Sequence, residues 1–218
     1  MSKLVDDHDS KSCDRKVMRV QVPPRAPNIM SLNKRNLSYI IGLALGDGNL
    51  SNPNGRAVRL RITCDLKYMN LIKRIRSAIQ ILLPKNKVSL IKRSKTFCDV
   101  SCYSNKWEDW LGWKAKKGSK YKQKVSIPNW VKENKNYSIY CLKGLLETDG
   151  SIYTDRGYKM VNFVTIIPGL ANDVIEIIKK IGFSAHIYKI ATITKTRYNI
   201  RLSKNIDNFL KIINFIKN

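Results

Sequence analysis

Two short stretches of the chain carry a carboxylate in the same setting, where an apolar run ends in Asp-Gly. The first is YIIGLALGDGNL (39–50), which contains Asp47, and the second is YCLKGLLETDGSIY (140–153), which contains Asp149. A carboxylate can take part in chemistry, and the question is why an acidic residue stands beside a glycine at the end of an apolar run. A core helix followed by a turn gives the same pattern, and either stretch alone fits that simpler interpretation.

The second stretch repeats the layout of the first at a distance of 102 residues, with Gly42 matching Gly144. The correspondence extends beyond the motif. Three further pairs of similar residues lie at the same distance: Thr63 and Thr165, Ile72 and Val174, Ile75 and Ile177. A fixed offset of this kind indicates an internal duplication, so the chain is expected to contain two copies of one structural unit.

The elements around each motif follow one order: helix, two strands, helix, two strands, helix. Asn36 or Ser38 could cap the first helix and Ser138 its counterpart, and a turn is expected after each motif. Helices are predicted over 39–45, 66–83, 106–113, 140–146, 170–181 and 206–216. Strands are predicted over 56–63, 96–103, 158–166, 186–194 and 197–203, and near 87–93.

Alternation along these strands predicts sheets with one apolar face and one polar face. Val58, Leu60 and Ile62 fall on one side of their strand, whereas Arg59 and Arg61 fall on the other. Helical spacing of Ile and Val after the first strands predicts amphipathic helices that cover the apolar faces. The basic faces are then left for a partner.

The charge of the chain indicates what that partner is. Its 218 residues include 41 Lys and Arg against 16 Asp and Glu, a formal net charge of +25. Basic side chains that replace the counterions of a nucleic acid release those ions, so a polyanion is the expected partner. A solvated basic surface, or a ribosomal or histone-like binder, fits the charge equally well.

Other classes of protein fit the sequence poorly. Cysteines number five without a C-x-x-C pair and histidines number two, which argues against a zinc site, and Cys98 and Cys102 are expected to be buried reduced thiols. Trp107, Trp110 and Trp113 could stack on single-stranded bases, but packing under a sheet is favoured. No apolar run is long enough for a membrane span, and an intracellular location is expected.

The first 33 residues differ in character from the rest. The segment QVPPRAPNIM (21–30) contains three prolines, which interrupt both helices and sheet ladders. Residues 1–33 are therefore predicted to be a flexible tail, with the acidic cluster at 6–9 solvated and Met30 a possible native start.

The two motifs, IIGLALGDG (40–48) and LKGLLETDG (142–150), together with the repeated element order, resemble the LAGLIDADG homing endonucleases in their single-chain form. The resemblance covers roughly residues 36–218. It implies an α+β fold of two pseudo-symmetric αββαββα repeats, each with a four-stranded antiparallel sheet, packed through the two motif helices. The expected division is a first repeat at 34–113, a basic linker at 114–136 and a second repeat at 137–218.

The resemblance also implies a site. Small residues at Gly42, Gly46 and Gly144 would let the motif helices approach closely, with Thr148 in the place of Gly46. Asp47 and Asp149 would then lie side by side as metal ligands, together with Gly46 and Thr148. The implied cation is Mg²⁺, with Mn²⁺ expected to substitute and Ca²⁺ expected to bind without supporting cleavage.

Two further residues near the motifs are given roles by the same resemblance. Members of the family place a lysine shortly before an Ile-Pro segment, and Lys124 in KYKQKVSIPNW (120–130) is expected to stabilise charge or transfer a proton. Lys124 could instead be one more phosphate contact. Lys195 and Lys204 are candidates for the second repeat, whose chain ends without a matching segment. Glu147 is assigned a helix-end or supporting role rather than direct metal ligation.

Double-stranded DNA is the implied partner, contacted by the polar faces of both sheets. The predicted contacts are Arg59, Arg61, Arg93, Asp99 and Ser101 in the first half, and Lys159, Lys189, Lys195, Arg197, Asn199 and Arg201 in the second. Arg suits guanine, Asn suits adenine, and most Lys would touch phosphate. Because the halves differ in sequence, the target is expected to be asymmetric.

The family resemblance leaves three functions open. The first is a metal-dependent endonuclease that cuts both strands across a minor groove and serves intron homing. The second is an RNA-binding intron maturase, and the third is a DNA-binding regulator that does not cleave. Two repeats in one chain supply the symmetry that single-repeat relatives reach by dimerising, so a monomer that requires no protein partner is expected.

Overall fold

Two helices that carry the repeated motif lie at the centre of the fold. The computed structural model describes residues 29–215, with side chains from residue 33 onward. In the first half the elements are α1 (Ile29–Leu45), β1 (Gly48–Ser51), β2 (Arg59–Asp65), α2 (Met69–Leu82), β3 (Val88–Lys92), β4 (Phe97–Tyr103) and α3 (Trp107–Leu111). After α4 (Asn129–Glu133), the second half contains α5 (Lys135–Asp149), β5 (Gly150–Asp155), β6 (Tyr158–Thr165), α6 (Pro168–Lys180), β7 (His186–Ala191), β8 (Thr196–Leu202) and α7 (Ile206–Ile213).

Helices α1 and α5 pack against each other at backbone distance. A Cβ atom added to Gly42 would overlap the carbonyl oxygen of Cys141, and one added to Gly144 would overlap that of Tyr39. Neither position has room for a side chain, because the neighbouring atoms belong to the backbone of the other helix. The close packing of motif helices that the sequence predicted is therefore present.

Each half contains a four-stranded antiparallel sheet with the same strand order. The first sheet runs β1-β2-β4-β3 and the second runs β5-β6-β8-β7. This confirms the predicted α+β fold of two pseudo-symmetric repeats. The strands β1 and β5 begin directly at Gly48 and Gly150, where the sequence analysis expected turns.

The core lies between the apolar face of each sheet and the helices that cover it. Leu60 and Ile62 of β2 are fully buried, as alternation along the strand predicted. The residue pairs that revealed the duplication are equivalent in space as well: Ile72 of α2 and Val174 of α6 are both buried beneath their sheets. The opposite face of each sheet, here called its open face, carries partly exposed arginines, among them Arg61 on the first sheet and Arg201 on the second.

The tryptophans and cysteines of the first half belong to this core. Trp107 is fully buried, its indole Nε1 donates to the carbonyl of Cys102 at 3.0 Å, and its ring meets that of Trp110 edge-on. Cys98 and Cys102 are buried free thiols, and burial raises the pKa of Cys102 to about 11. The prediction that the tryptophans of this region, which includes α3, pack under the sheet thus agrees with the structure.

The helix starts differ from the sequence expectation. Helix α1 already begins at Ile29, within the segment predicted as a tail, and the hydroxyl of Ser38 donates to the carbonyl of Lys34 inside the helix at 2.8 Å. In the second half Asn134 is the N-cap, because its side chain accepts from two backbone N–H groups of the first turn. Ser138 lies inside α5 and donates to the carbonyl of Val131 at 2.9 Å. Residues 1–28 lie outside the described part of the chain.

The connection between the repeats is tied to the second repeat. The carboxylate of Asp173 on α6 accepts from the backbone N–H of Ile127 at 2.7 Å and from the ammonium of Lys132 at 2.8 Å. Ile127 and Val131 are buried in the common core. The segment predicted as a basic linker therefore has an ordered end that contains α4. Within residues 29–215, no helix has the length and apolar character that crossing a membrane requires.

Candidate metal and nucleic-acid site

The two motif aspartates lie where the paired helices end. Asp149 is the last residue of α5, and Asp47 follows the end of α1 by two residues. Both are exposed, although Leu45 and Glu147, which lie two residues before them, are buried. A Cβ atom added to Gly46 would overlap the hydroxyl of Thr148 and lie 3.2 Å from Asp149 Oδ2. The carboxylate of one repeat thus lies against the motif of the other.

Each aspartate opens onto its own cavity, and each cavity is built by both repeats. The Asp149 cavity, of about 360 Å³, is lined by Gly46 and Leu45 of the first repeat and by Thr165 of the second sheet. The Asp47 cavity, of about 330 Å³, is lined by Thr148 and Glu147 of the second repeat and by Thr63 of the first sheet. Thr63 and Thr165 are again the pair related by the duplication, so the cavities are pseudo-symmetric.

The oxygen atoms available here fit a Mg²⁺ site. Each cavity combines one motif carboxylate with the residue that precedes the other motif aspartate, Gly46 or Thr148. Among residues 29–215, no three His, Cys, Asp or Glu side chains gather into a metal-binding group. Mg²⁺ typically binds through one or two carboxylates and completes its shell with water and phosphate oxygens. The structure thus brings together the four residues predicted for metal binding.

A lysine that the sequence analysis did not select reaches this region. The ammonium of Lys120 donates to the carbonyls of Ala44 at 3.1 Å and Leu45 at 2.7 Å, and also to that of Gly46. Loss of hydration lowers its pKa, and the charges of Asp149 and Asp47 act in the opposite direction. Lys120 therefore caps the negative end of the α1 dipole and lies within the electrostatic reach of both aspartates.

Lys124, which the sequence analysis selected, is placed differently. Its side chain is exposed and lines neither cavity, and its backbone has a positive φ of 50°. Its backbone N–H donates to the carbonyl of Tyr121, which closes a turn between the two lysines. The structure thus brings Lys120, and not Lys124, to the aspartates.

The two cavities differ in their basic residues. Lys195 lines the Asp149 cavity together with Lys120, and its ammonium lies 4.6 Å from the ring centre of Tyr121. The lysine that lines the Asp47 cavity is Lys67, which forms an ion pair with Asp65 at 3.2 Å. Lys204 is exposed and lines neither cavity. The Asp149 side is therefore the more positive one.

Glu147 is buried beside the motif and has partners inside the protein. Its Oε2 accepts from the hydroxyl of Tyr39 at 2.6 Å, and its Oε1 lies 3.6 Å from Arg74 and 3.8 Å from Lys143. Burial, followed by the charge of Glu147, raises the pKa of Tyr39. These contacts occupy Glu147 within the seam between the repeats, which suits the supporting role predicted for it.

On the first sheet, the predicted DNA contacts share the open face. Cross-strand register pairs Arg61 with Ser101 and Thr63 with Asp99, on the side opposite the buried Leu60 and Ile62. Arg59 donates through Nε to the hydroxyl of Ser51 at 3.2 Å. Asp99 and Ser101 are each only 2 % exposed, so neither reaches outward as a direct reader would.

On the second sheet, only part of the predicted set shares the open face. Arg197, Asn199 and Arg201 alternate with the buried Ile200 and Leu202, and so they face outward. The prediction is wrong for Lys159 and Lys189, which lie on the face of the sheet that the helices cover. Lys159 donates to Asp207 of α7 at 2.6 Å, and Lys189 pairs in register with Tyr198, which shares a face with Ile200.

Asn162 and Tyr188 are among the open-face residues that the sequence analysis missed. Asn162 lies opposite Arg201, and Tyr188 lies opposite Asn199. Both could have been predicted, because side chains alternate between the two faces of a strand and each of these residues is next to one that faces the helices. Arg201 donates to Asp155 at 2.7 Å, which places a charged pair beside them.

Two family models match the chain, one in each half. The model of the WhiA LAGLIDADG-like domain matches residues 36–98, and that of the LAGLIDADG-like domain matches residues 136–214. Each match contains one of the two motifs. No curated protein sequence matches the chain.

Solved structures with the same fold include I-DmoI and DUF199/WhiA. I-DmoI in complex with DNA and Mn has 20% identity, a TM-score of 0.58, and coverage of 85% of this chain and 97% of the other. I-DmoI in complex with DNA and Ca has 19% identity, a TM-score of 0.58, and coverage of 84% and 90%. Full-length DUF199/WhiA from Thermatoga maritima has 16% identity, a TM-score of 0.59, and coverage of 89% and 58%.

Proposed function

Since the chain is a LAGLIDADG protein, we propose that it is a site-specific, divalent-metal-dependent DNA endonuclease. The observation that carries the proposal is the pair of cavities, each with one exposed motif aspartate, between two sheets with basic open faces. We propose that the enzyme works as a monomer inside the cell and makes a staggered double-strand break of the kind that serves intron homing. I-DmoI, solved with DNA and with Mn or Ca, shares this fold.

The open faces suit double-stranded DNA as the substrate. Outward arginines lie on both sheets, among them Arg59 and Arg61 on the first and Arg197 and Arg201 on the second. Because two sheets flank the motif aspartates, DNA laid across both would present its backbone to both cavities. The two faces carry different side chains, so the favoured target is long and asymmetric.

The chain's own residues divide the chemistry as follows. Asp47 and Asp149 would hold the cations, with the backbone oxygens of Gly46 and Thr148 beside them. The hydroxyl of Thr148 serves its own helix, since it donates to the carbonyls of Gly144 at 3.0 Å and Leu145 at 2.9 Å. A bound cation supplies charge stabilisation at the phosphate and a more acidic water. Lys120 adds a fixed positive charge where the phosphate becomes more negative.

The experiment that tests this function uses the genomic locus of the protein, joined without the intervening sequence, as duplex DNA. The purified protein is incubated with it in Mg²⁺ and in EDTA, and the products are resolved on denaturing gels. Metal-dependent cuts at one position on each strand are expected. Binding without cleavage in either condition would remove the endonuclease and favour a regulator.

Lys120 gives a prediction with a matched control. Lys120→Met is expected to lower the cleavage rate by ~100-fold, because it removes a positioned cation from the reacting phosphate while keeping an unbranched side chain that is one atom shorter. Lys124→Met, four residues away and exposed, removes the same charge and is expected to stay within about threefold of the wild type, as a single surface phosphate contact would. Single-turnover rates at saturating protein measure both.

The two variants also show which of the two lysines acts in cleavage. Lys124→Met is the variant that would lose activity if the sequence-based assignment were right. A wild-type rate for Lys120→Met would show that this lysine only caps helix α1.

Salt dependence gives a second prediction, about binding. The arginines and lysines of two open faces meet a polyanion, so the logarithm of affinity should fall linearly with the logarithm of salt concentration. A slope of about −5 or steeper is expected, which corresponds to roughly six phosphate contacts. Fluorescence anisotropy with labelled duplex in a KCl series measures it, and a flat line would exclude nucleic acid as the main partner.

A non-cleaving DNA-binding regulator is the second candidate. It is favoured by the match of residues 36–98 to the WhiA LAGLIDADG-like domain, which covers the first motif and most of the first sheet. Both motif aspartates are present and exposed at the cavities, however, and a regulator has no need of either. The endonuclease therefore remains the first candidate.

A further inference from the structure

A buried carboxylate lies in the middle of the first sheet's open face. Asp99 is only 2 % exposed, although Arg61, Thr63 and Arg93 around it reach solvent. Its Oδ2 accepts from Arg93 Nε at 2.5 Å and lies 3.8 Å from Arg61 Nε, and its Oδ1 accepts from the hydroxyl of Thr63 at 2.9 Å. One carboxylate on β4 thus contacts Arg61 and Thr63 of β2 and Arg93, which directly follows β3.

We propose that Asp99 is a positioning residue that fixes Arg61 and Arg93 for reading guanine in the half-site bound by the first repeat. The inference rests on the proposed DNA-binding function. It replaces the direct base contact that the sequence analysis assigned to Asp99, and it names the chemistry of the target on that side.

The contacts of the two arginines support this role. Asp99 accepts a hydrogen bond from Arg93 Nε and forms an ion pair with Arg61, whose Nε is its nearest nitrogen, so the terminal nitrogens of both guanidinium groups are left for another partner. These terminal nitrogens suit the O6 and N7 acceptors of guanine in the major groove. A guanidinium that is already held in place also loses less conformational freedom when it binds.

Stability alone does not account for the arrangement. A buried carboxylate needs donors inside the protein, but arginines buried with it would meet that need, whereas the side chains of Arg61 and Arg93 are 33% and 44% exposed. Direct base reading by Asp99 is disfavoured as well, because its oxygens are covered and already accept from protein donors. The exposed ends of the arginines are the parts that can meet DNA.

The second sheet offers a matched control. Asp155 accepts from Arg201 Nη2 at 2.7 Å, but its side chain is 43% exposed, and it engages a terminal nitrogen rather than Nε. Asp155→Asn therefore makes the same chemical change beside an arginine on the other open face. Any effect of that variant should fall in the other half-site.

The test selects binding sites from a randomised duplex library with the wild type, with Asp99→Asn and with Asp155→Asn. For Asp99→Asn, the guanine preference is expected to disappear at positions in one half-site, with affinity for the wild-type site lower by ~10–100-fold. Affinity for unrelated duplex is expected to stay the same or rise, because a negative charge is lost beside the polyanion. Asp155→Asn should keep those guanines.

Conservative arginine variants keep the proposal testable if Asp99→Asn does not fold. Arg61→Lys and Arg93→Lys retain the charge but not the paired nitrogens, and each should lose guanine preference in the same half-site. Combining Asp99→Asn with Arg93→Lys should cost less than the two separate losses added together. Unchanged guanine preference in the variants, or a loss spread over both half-sites, overturns the proposal. If the wild type itself enriches no sequence, the proposed DNA-binding function fails instead.

Discussion

Replacing either motif aspartate by asparagine is expected to lower double-strand cleavage by at least ~1,000-fold while DNA binding stays near the wild-type level. The loss follows because a bound cation contributes several kcal/mol to the transition state, and each 1.36 kcal/mol is tenfold in rate. Binding persists because it comes from the open faces of the sheets, and removal of a carboxylate relieves repulsion with phosphate. Single-turnover cleavage and anisotropy with Asp47→Asn and Asp149→Asn measure the two quantities separately.

Asp207→Asn is the control for this experiment. Asp207 is a highly exposed carboxylate on the helix side, paired with Lys159, and its removal changes the net charge by the same amount. It is expected to cut at the wild-type rate. Wild-type rates for Asp47→Asn and Asp149→Asn in Mg²⁺, or undiminished cleavage by the wild type in EDTA, would contradict the metal-dependent assignment.

Filling the seam between the motif helices is expected to unfold the protein or nearly so. Gly42→Val and Gly144→Val each place carbon atoms where a backbone carbonyl of the other helix already lies. Overpacking in a core typically costs about 1–3 kcal/mol, and the cost here should exceed that range because no flexible side chain can move aside. The expected loss is a large part of a typical free energy of unfolding, which is about 5–15 kcal/mol.

Urea unfolding followed by circular dichroism measures this prediction. Gly169→Ala on α6 is the control, because a Cβ atom there meets nothing within 4 Å. Its midpoint should be equal to or slightly above that of the wild type, since alanine is the better helix former. Cooperative unfolding of Gly42→Val at the wild-type midpoint would mean that the helices do not pack as described.

The fold was largely readable from the sequence because its signals are periodic and repeated. Alternation placed Leu60 and Ile62 on the inner face of β2, and the offset between the halves related Ile72 to Val174. The short strand β1, with four residues, carries too little alternation to be seen. The start of α1 was missed because the polar residues before Tyr39 resemble a cap as much as the exposed side of a helix.

The site was less readable because loops and side-chain direction decide it. The spacing to the Ile-Pro segment favoured Lys124 on family resemblance, but the path of the turn brings Lys120 to the helix ends instead. Nothing in the local sequence distinguishes these lysines. The position of Lys159 could have been predicted, because residues 159, 161 and 163 point to the same face of β6, and Val161 and Phe163 are buried there against the helices.

Each of the two cavities is lined by residues of both repeats, and this matters while a cell synthesises the protein. The Asp149 cavity needs Gly46 from the first repeat, and the Asp47 cavity needs Thr148 from the second. A chain that has emerged only as far as its first repeat therefore holds no complete cutting centre. On the proposed function, the protein can therefore cleave DNA only after both repeats have been translated and have packed together.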